Sequence, residues 1–241
     1  MTALRPFFTY FGGKWRAAPH YPKPERDTII EPFAGSAGYS LRYPNRNVIL
    51  NDLDPAVAGT WDYLIRAPEA EILALPLWDG SWETVNDLNI PQEARWLIGW
   101  WLNKGNTTPR LSATSWMRSG IRPNSFWGEA IRARIASQQR HIRHWTATSM
   151  DYARLPAMRG TWFIDPPYKV AGKEYRHGSA GIDFDRLAEW SRSRPGQVIV
   201  AENSGADWLP FRAFRDIKAS PGATRTGVSR EVIWTNGKEA A

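Results

Sequence analysis

Short apolar runs that stop at polar or small residues recur along the chain and predict a sheet of buried strands. Seven candidate strands are present, and the uninterrupted apolar stretches among them, such as 198–201, are typical of strands covered on both faces. Helical segments separate several of them, so the alternation predicts an α/β fold. The predicted strands cover residues 28–30, 48–50, 145–148, 161–164, 197–201, 214–218 and 231–235.

Helical periodicity predicts at least four helices between these strands. Asp54, directly before a proline, suits the capping position of the first helix. In the third helix, a turn of 100° per residue places the isoleucines on one face and the arginines on the adjacent face. The helices are expected over 55–66, 91–102, 126–143 and 184–193, and the two faces consist of Ile131, Ile135 and Ile142 and of Arg132, Arg140 and Arg143.

A helical, tryptophan-rich stretch over residues 67–144 interrupts this alternation, whereas 1–66 and 145–241 carry the strands. We therefore expect a discontinuous α/β domain with a mainly helical insertion. Within the insertion, residues 109–127 are rich in Ser, Thr, Arg, Pro, Gly and Asn, which predicts an ordered loop. Most tryptophans of the insertion are expected in the core, and one or two in the loop to contact bases.

The excess positive charge lies in the same insertion. Between positions 104 and 143 there are eight Lys or Arg residues and one acid, which accounts for the whole formal charge of +7. Such a concentration predicts a surface for a polyanion, with an ordinary solvated surface as the alternative. The residues expected to contact the polyanion are Lys104, Arg110, Arg118, Arg122, Arg132, Arg140 and Arg143, with Lys169, Lys173 and Tyr175 from a later loop.

Composition excludes several classes of protein. The chain has no cysteine, which excludes a disulfide framework, a zinc–thiolate centre and a cysteine nucleophile. Its longest apolar stretch, near 96–102, is far shorter than the ~20 residues of a membrane span, and the first residues lack the apolar region of a signal peptide. We expect a cytoplasmic protein, a monomer or weak dimer, without a metal or a membrane partner.

The strongest candidate for chemistry is the turn Asp165-Pro166-Pro167-Tyr168, which follows the strand predicted over 161–164. The prolines stop the strand and stiffen the turn, so a carboxylate and an aromatic ring stand at the carboxyl end of a strand. Ligands bind at that edge in open α/β sheets. A carboxylate, a fixed carbonyl and a ring face suit a planar base that carries an amino group. An ordinary turn with a satisfied carboxylate is the alternative.

Upstream stretches predict a nucleotide-type cofactor site. The first strand leads into a small-residue turn over 31–37 and then an expected helix, whose N-terminus would face the ligand. Asp52 ends the next strand, where an acid hydrogen-bonds the ribose hydroxyls of an adenosine. Near the beginning of the chain, aromatic residues followed by Gly12-Gly13-Lys14 predict a tight turn into a helix.

Together these motifs resemble the class α, or Dam-like, family of DNA adenine N6-methyltransferases. The resemblance extends from about residue 7 to 236 and keeps the order of cofactor motifs, recognition region and catalytic turn. Where the family's loop has its second glycine, this chain has Ala37 followed by Gly38. The matching motifs are Tyr10-Phe11-Gly12-Gly13-Lys14, Glu31-Pro32-Phe33-Ala34-Gly35-Ser36-Ala37, Asn51-Asp52 and Asp165-Pro166-Pro167-Tyr168.

The resemblance implies a Rossmann-like, S-adenosylmethionine-dependent methyltransferase fold with a mixed sheet of about seven strands. It implies methyl transfer from S-adenosylmethionine to N6 of a flipped-out adenine in DNA, at the turn from Asp165 to Tyr168. An adenine methyltransferase acting on RNA and a DNA-binding relative without catalysis are the alternatives, and Asp151 is alternatively a helix cap. The residues assigned to the cofactor are Tyr10, Gly12, Gly13, Lys14, Glu31, Pro32, Phe33, Gly35, Ser36, Ala37, Asp52, Asp151 and Asp165.

Overall fold

A single seven-stranded sheet forms the centre of the protein, and all seven predicted strands are confirmed. The computed structural model describes residues 3–103, 105–120, 125–170, 178–218 and 228–237. The strands are β1 (Thr28–Glu31), β2 (Asn47–Asn51), β3 (Thr146–Thr148), β4 (Gly160–Ile164), β5 (Gly196–Asn203), β6 (Arg212–Lys218) and β7 (Val228–Thr235).

The strand order β3-β2-β1-β4-β5-β7-β6 creates a crevice at the centre of the sheet. The first five strands in this order run parallel, and β7 lies antiparallel between β5 and β6. From β1 the chain continues to β2 and β3 on one side of the sheet, and from β4 it continues to β5, β6 and β7 on the other side. Ligands bind beside such a reversal, at the carboxyl ends of the strands. The turn that begins at Asp165 follows β4 and therefore lies at this crevice.

Alternate residues of the central strands are buried on opposite faces of the sheet. Ile29 and Phe163 belong to one apolar cluster, whereas Ile30 and Trp162 belong to the other. Every residue of β4 is buried, as expected of a strand that is covered on both faces. The protein is thus an α/β structure with a mixed sheet, compatible with a Rossmann-like fold.

Six helices accompany the sheet in the described ranges. They are α1 (Pro55–Arg66), α2 (Glu69–Ala74), α3 (Gln92–Trp101), α4 (Ser115–Arg118), α5 (Glu129–Gln139) and α6 (Phe184–Arg192). Asp54 caps α1 as predicted, because its Oδ1 accepts a hydrogen bond from Ala56 N at 2.9 Å. α5 is shorter than the prediction of 126–143, since Gly128 before it is fully extended. Of these helices, none is long and apolar enough to cross a membrane.

The helix expected directly after the small-residue turn is wrong. The chain forms turns there, followed by a single 3₁₀ turn over Ser40–Arg42. Gly35 and Ala37, within the turn itself, adopt left-handed φ of +45° and +50°, so no right-handed helix begins before residue 38. The Glu31 carboxylate also accepts the N–H of Ser40 at 2.8 Å. The wall of the crevice is therefore formed here by turn backbone and not by a helix N-terminus.

The insertion over 67–144 is helical as expected, but it shares its core with the sheet. It contains α2 to α5, and the short α4 lies in the stretch predicted as a loop. Trp100 and Ile135 pack in the same apolar cluster as Ile29 and Phe163. Trp116, on α4, is instead 52% exposed. The insertion is therefore built onto the core of the sheet, and its boundaries stay a prediction.

Candidate functional site

A cavity of about 220 Å³ opens in the crevice beside β1 and β4. Its wall combines the N-terminal segment with the turns that follow β1, β2, β3 and β4. Ala37, Pro166 and Tyr168 were predicted for the site but do not line the cavity. The predicted site residues that do line it are Tyr10, Gly12, Gly13, Lys14, Glu31, Pro32, Phe33, Gly35, Ser36, Asp52, Asp151, Asp165 and Pro167.

The turn after β1 brings its backbone to the cavity wall because Gly35 has no side chain. A Cβ at Gly35 would lie 3.0 Å from Cδ1 of Tyr10, and the left-handed φ of +45° favours glycine. The Gly35 carbonyl accepts a hydrogen bond from Trp61 Nε1 at 2.8 Å, and its N–H donates to Asp52 Oδ2 at 3.0 Å. The turn is therefore held from two sides.

Asn51 and Asp52 organise the end of β2. The buried Asn51 amide group donates to Pro32 O and Met150 O at 3.0 Å each, so it joins the turns after β1 and β3. Asp52 accepts two backbone N–H groups at 3.0 Å each. Burial raises the pKa of Asp52 to about 6, and the two backbone hydrogen bonds oppose that rise. Asp52 is thus a largely ionised acceptor at neutral pH.

The two oxygens of Asp165 differ, because Lys14 holds only one of them. Lys14 Nζ lies 2.9 Å from Asp165 Oδ2 and donates to Gly12 O at 2.9 Å. Burial raises the pKa of Asp165 to about 6, while Lys14 opposes the rise. Asp165 Oδ1 is buried and has no hydrogen-bond partner in the part of the chain that the structure describes. A ligand that brings an N–H group would satisfy this oxygen.

Tyr168 is held by Lys14 and by an acid that no sequence pattern indicated. The Lys14 ammonium lies 4.8 Å from the centre of the Tyr168 ring, and the Tyr168 hydroxyl donates to Glu231 Oε1 at 3.3 Å. Glu231 Oε2 accepts the Tyr21 hydroxyl at 2.6 Å. The one available signal for Glu231 was an acid at the beginning of an apolar run, which also describes an ordinary strand end.

Among the residues that the structure describes, the cavity lining contains five acids and one cation, Lys14. Burial raises the pKa of Glu31 to about 8, against the effect of its hydrogen bonds with Ser40. Asp151 lines the cavity and also caps a 3₁₀ turn, since it accepts Ala153 N at 2.8 Å. The predicted alternative for Asp151, a helix cap, is therefore present together with its place in the wall. Such an acidic cavity favours a ligand that carries positive charge.

Apolar residues complete the wall, and several of them lie outside the sequence motifs. Phe33 and Tyr152 pack with ring centres 5.3 Å apart on one side of the cavity. Met150 and Tyr152 flank Asp151, so a search of the residues around each predicted acid would have found them. Phe11 and Ala34 stand in the matching motifs, and Asp54 was the alternate to Asp52 as the ribose-binding acid. The wall residues that no motif contained are Gly38, Leu53, Met150, Tyr152, Phe163, Gly181 and Ile182.

The expected DNA contacts on the insertion differ in their surroundings. Arg110 is exposed, as is Arg118, whose Nε donates to Ala113 O at 3.2 Å. Arg132 is half-buried, and its Nη1 donates to Leu75 O at 2.6 Å. Part of the Arg132 guanidinium is therefore used within the insertion. Four further predictions lie outside the described residues: Lys104, Arg122, Lys173 and Tyr175.

Arg140 and Arg143 lie near the amino ends of the parallel strands, on the opposite side of the sheet from the cavity at their carboxyl ends. Both follow α5 and precede the amino end of β3. The neighbouring His144 contacts the carbonyl of Arg46, just before β2 begins, at 3.1 Å. The structure therefore does not bring these two arginines together with the turn at Asp165. Lys169 does adjoin that turn, with its Nζ 2.7 Å from Asp207 Oδ1.

The cavity offers hydrogen-bond acceptors, an acidic lining and aromatic walls. Within the described ranges, no group of three or more histidine, aspartate and glutamate side chains is arranged to hold a metal ion. A scan against protein-family models finds no match to the chain, and a search of curated proteins finds none either.

Proposed function

We propose that the chain is an S-adenosylmethionine-dependent methyltransferase that acts on N6 of adenine in double-stranded DNA. Asp165 is the observation that carries this proposal. Its Oδ2 is fixed by Lys14 at 2.9 Å, and its buried Oδ1 has no donor among the described residues. An unsatisfied buried acceptor costs roughly 1–3 kcal/mol, so an amino group that donates to Oδ1 gains from its position.

The cavity has the groups that the proposed cofactor requires. Asp52 stands at the end of β2 beside the glycine turn, where an acid binds ribose hydroxyls. Gly35 leaves backbone at the wall, and the acidic lining favours a sulfonium ligand. When bound, S-adenosylmethionine supplies an electrophilic methyl group. The mixed seven-stranded sheet, with the cavity at its central crevice, supports a methyltransferase fold.

The turn after β4 prepares the adenine amino group for reaction. Its nitrogen is a poor nucleophile because the lone pair is delocalised into the ring. Hydrogen bonds from this amino group to Asp165 Oδ1 and the Pro166 carbonyl favour a tetrahedral nitrogen and stabilise the positive charge that develops on it. The ring of Tyr168, which Lys14 and Glu231 hold, stacks on the base and contributes roughly 1–3 kcal/mol.

DNA is proposed as the substrate because of the charge on the insertion. The whole net charge of +7 falls between positions 104 and 143, and Arg110 and Arg118 are exposed there. Such a surface binds phosphates without reading sequence. A base inside a duplex cannot reach the turn at Asp165, so the target adenine must be flipped out.

Transfer of a labelled methyl group to duplex DNA, to RNA and to no acceptor tests the proposal. We expect label in duplex DNA, recovered as N6-methyladenine after digestion, and none with Asp165→Asn, which keeps the side-chain size. Label in RNA alone would replace DNA by RNA as the substrate. Absence of label in both, with intact cofactor and DNA binding, would indicate a relative that has lost catalysis.

A further inference from the structure

We propose that Glu231 is a positioning residue for the proposed methyl transfer. It holds the ring of Tyr168 and shares the ammonium of Lys14, and so keeps Asp165 a strong hydrogen-bond acceptor. This inference rests on the proposed function of the same site. Glu231 lies on β7, paired with Asn203 at the end of β5, and belongs to none of the motifs around the cavity.

Both oxygens of Glu231 are engaged in one buried cluster. Oε2 accepts the Tyr21 hydroxyl at 2.6 Å, and Oε1 accepts the Tyr168 hydroxyl at 3.3 Å. Oε1 also lies 3.8 Å from Lys14 Nζ, and the Glu231 and Lys14 side chains are each 6% exposed. With so little water between them, these charges interact more strongly than a pair at the surface.

Tyr21 anchors the far end of the cluster in the core. Its ring meets Phe163 edge-on at 5.0 Å and stacks on Phe214 at 4.5 Å. Glu231 is therefore held by a residue that has little freedom to move. Glu231 accepts the hydroxyl of Tyr168 and so sets the orientation of the Tyr168 ring on which the adenine stacks. Because a small misplacement of the adenine lowers the rate of transfer, this orientation affects kcat.

Lys14 is shared between two carboxylates. It lies 2.9 Å from Asp165 Oδ2 and 3.8 Å from Glu231 Oε1. A full ammonium charge on Asp165 alone would make that carboxylate a weaker base and a weaker acceptor. Because Glu231 offsets part of the charge, it raises the pKa of Asp165.

Other charged groups act on Asp165 as well, so the effect of Glu231 has to be separated from theirs. Glu202 also raises the pKa of Asp165 by its negative charge. The titratable groups that interact with Asp165 are Lys14, Tyr21, Glu31, Glu202 and Glu231. A substitution at Glu231 that removes only its charge leaves the other four in place.

Glu231→Gln removes that charge and keeps an oxygen for a tyrosine hydroxyl. We expect kcat to fall by about ten- to hundredfold, as for a misplaced catalytic group, while KM for the cofactor changes by less than about threefold. The acid limb of the kcat profile should move to lower pH, because loss of a neighbouring negative charge lowers the pKa of Asp165. A folded Glu231→Gln protein with unchanged kcat and an unchanged acid limb would overturn the inference.

Arg230→Gln is the matched control. It removes a charge from the adjacent position of β7, where the side chain is exposed and points to the other face of the sheet. Its kcat and acid limb should equal those of the unsubstituted protein. A change in Arg230→Gln as large as that in Glu231→Gln would assign the effect to β7 in general and overturn the role of Glu231.

An NMR titration of the Asp165 carboxyl group measures its pKa without requiring catalysis. The signal is assigned by its absence in Asp165→Asn. In Glu231→Gln the titration should move to lower pH, and an unmoved titration would overturn the sharing of charge. If the titration moves but no acceptor is methylated, the proposed function fails and the sharing of charge is supported.

If Glu231→Gln does not fold, Tyr168→Phe removes only the hydrogen bond between Tyr168 and Glu231. Its kcat should fall with cofactor affinity unchanged, and an unchanged kcat would overturn the positioning role.

Discussion

The carboxyl edge of the sheet and the basic insertion use charge in opposite ways. At the edge, Lys14 is buried and lies 2.9 Å from Asp165, whose side chain is 18% exposed. On the insertion, Arg110 and Arg118 are exposed to solvent. Buried charges are stable only in defined pairs, whereas surface charges tolerate many arrangements. Single changes should therefore abolish the chemistry proposed for the edge but only reduce the affinity for DNA that the insertion is proposed to provide.

The largest effect is expected from Asp165→Ala, which removes the acceptor oxygen and the partner of Lys14. Loss of one preorganised hydrogen-bonding group typically costs about 10²–10³ in kcat, and here both oxygens are lost. Cofactor binding should be largely kept, because Asp52 and Gly35 are unchanged. Single-turnover transfer and calorimetric binding measure the two. Near-normal turnover would contradict the role of Asp165.

Acidic pH should impair catalysis and cofactor binding at the carboxyl edge of the sheet, whereas DNA binding by the insertion should be unaffected. Burial raises the pKa of both Asp52 and Asp165 to about 6, so each loses its charge as the pH falls through that value. We expect kcat to decrease with the protonation of Asp165, and KM for the cofactor to increase with that of Asp52. DNA binding at constant ionic strength is the control, because arginines stay charged. A flat kcat profile through this range would contradict the ionised state proposed for Asp165.

The same acids predict how stability depends on pH. Their folded-state pKa values lie above the ordinary 3.8 of Asp and 4.5 of Glu. The stability that they contribute is therefore full below the ordinary pKa values of 3.8 and 4.5. It is lost as the pH rises from there through the folded-state pKa, which is about 6 for Asp52 and Asp165 and about 8 for Glu31. In thermal unfolding, Glu31→Gln should flatten the decline that the unsubstituted protein shows between about pH 6 and 8. An equally steep decline would contradict the raised pKa of Glu31.

Gly35→Ala tests whether the turn at the edge depends on close approach of backbone. The variant places a Cβ 3.0 Å from the Tyr10 ring at a φ of +45°. We expect a loss of about 1–2 kcal/mol in the free energy of unfolding, together with weaker cofactor binding. Gly80→Ala is the matched control, with φ of +92° and nothing within 4 Å. It should lose stability without weaker cofactor binding, and equal cofactor affinities in the two variants would remove Gly35 from the cofactor site.

The smallest effects are expected on the insertion. Arg110→Ala and Arg118→Ala should each weaken DNA binding modestly and reduce the slope of log Kd against log salt by about 0.9, the value for one lost phosphate contact. Arg132→Ala should instead lower stability by about 1 kcal/mol, because it loses a hydrogen bond to Leu75 O, with an unchanged salt slope. A reduced slope in Arg132→Ala would restore the phosphate contact that the helical periodicity predicts.

The positions of the site residues at the carboxyl edge of the sheet were far more predictable from the sequence than the positions of the arginines on the insertion. The strand before Asp165 and the strand before Asp52 were both evident from apolar runs, and parallel strands place such ends side by side. The helical face of arginines was also evident, but only the structure shows that Arg140 and Arg143 lie between α5 and the amino end of β3, opposite the cavity. An exposed charge has no neighbour that must complement it, so a linear pattern does not locate it.

The seven strands, the cap at Asp54 and the end of β4 before Asp165 could all be predicted from the sequence, because apolar residues and prolines act on their immediate neighbours. The ion pair of Lys14 with Asp165 could not, and neither could the hydrogen bond that Glu231 accepts from the hydroxyl of Tyr168, 63 residues earlier. A single 3₁₀ turn over Ser40–Arg42 also replaces the helix that was expected after the turn ending at Ala37. These contacts depend on which strands become neighbours in the sheet, and that choice depends on the burial of the whole core and not on local spacing.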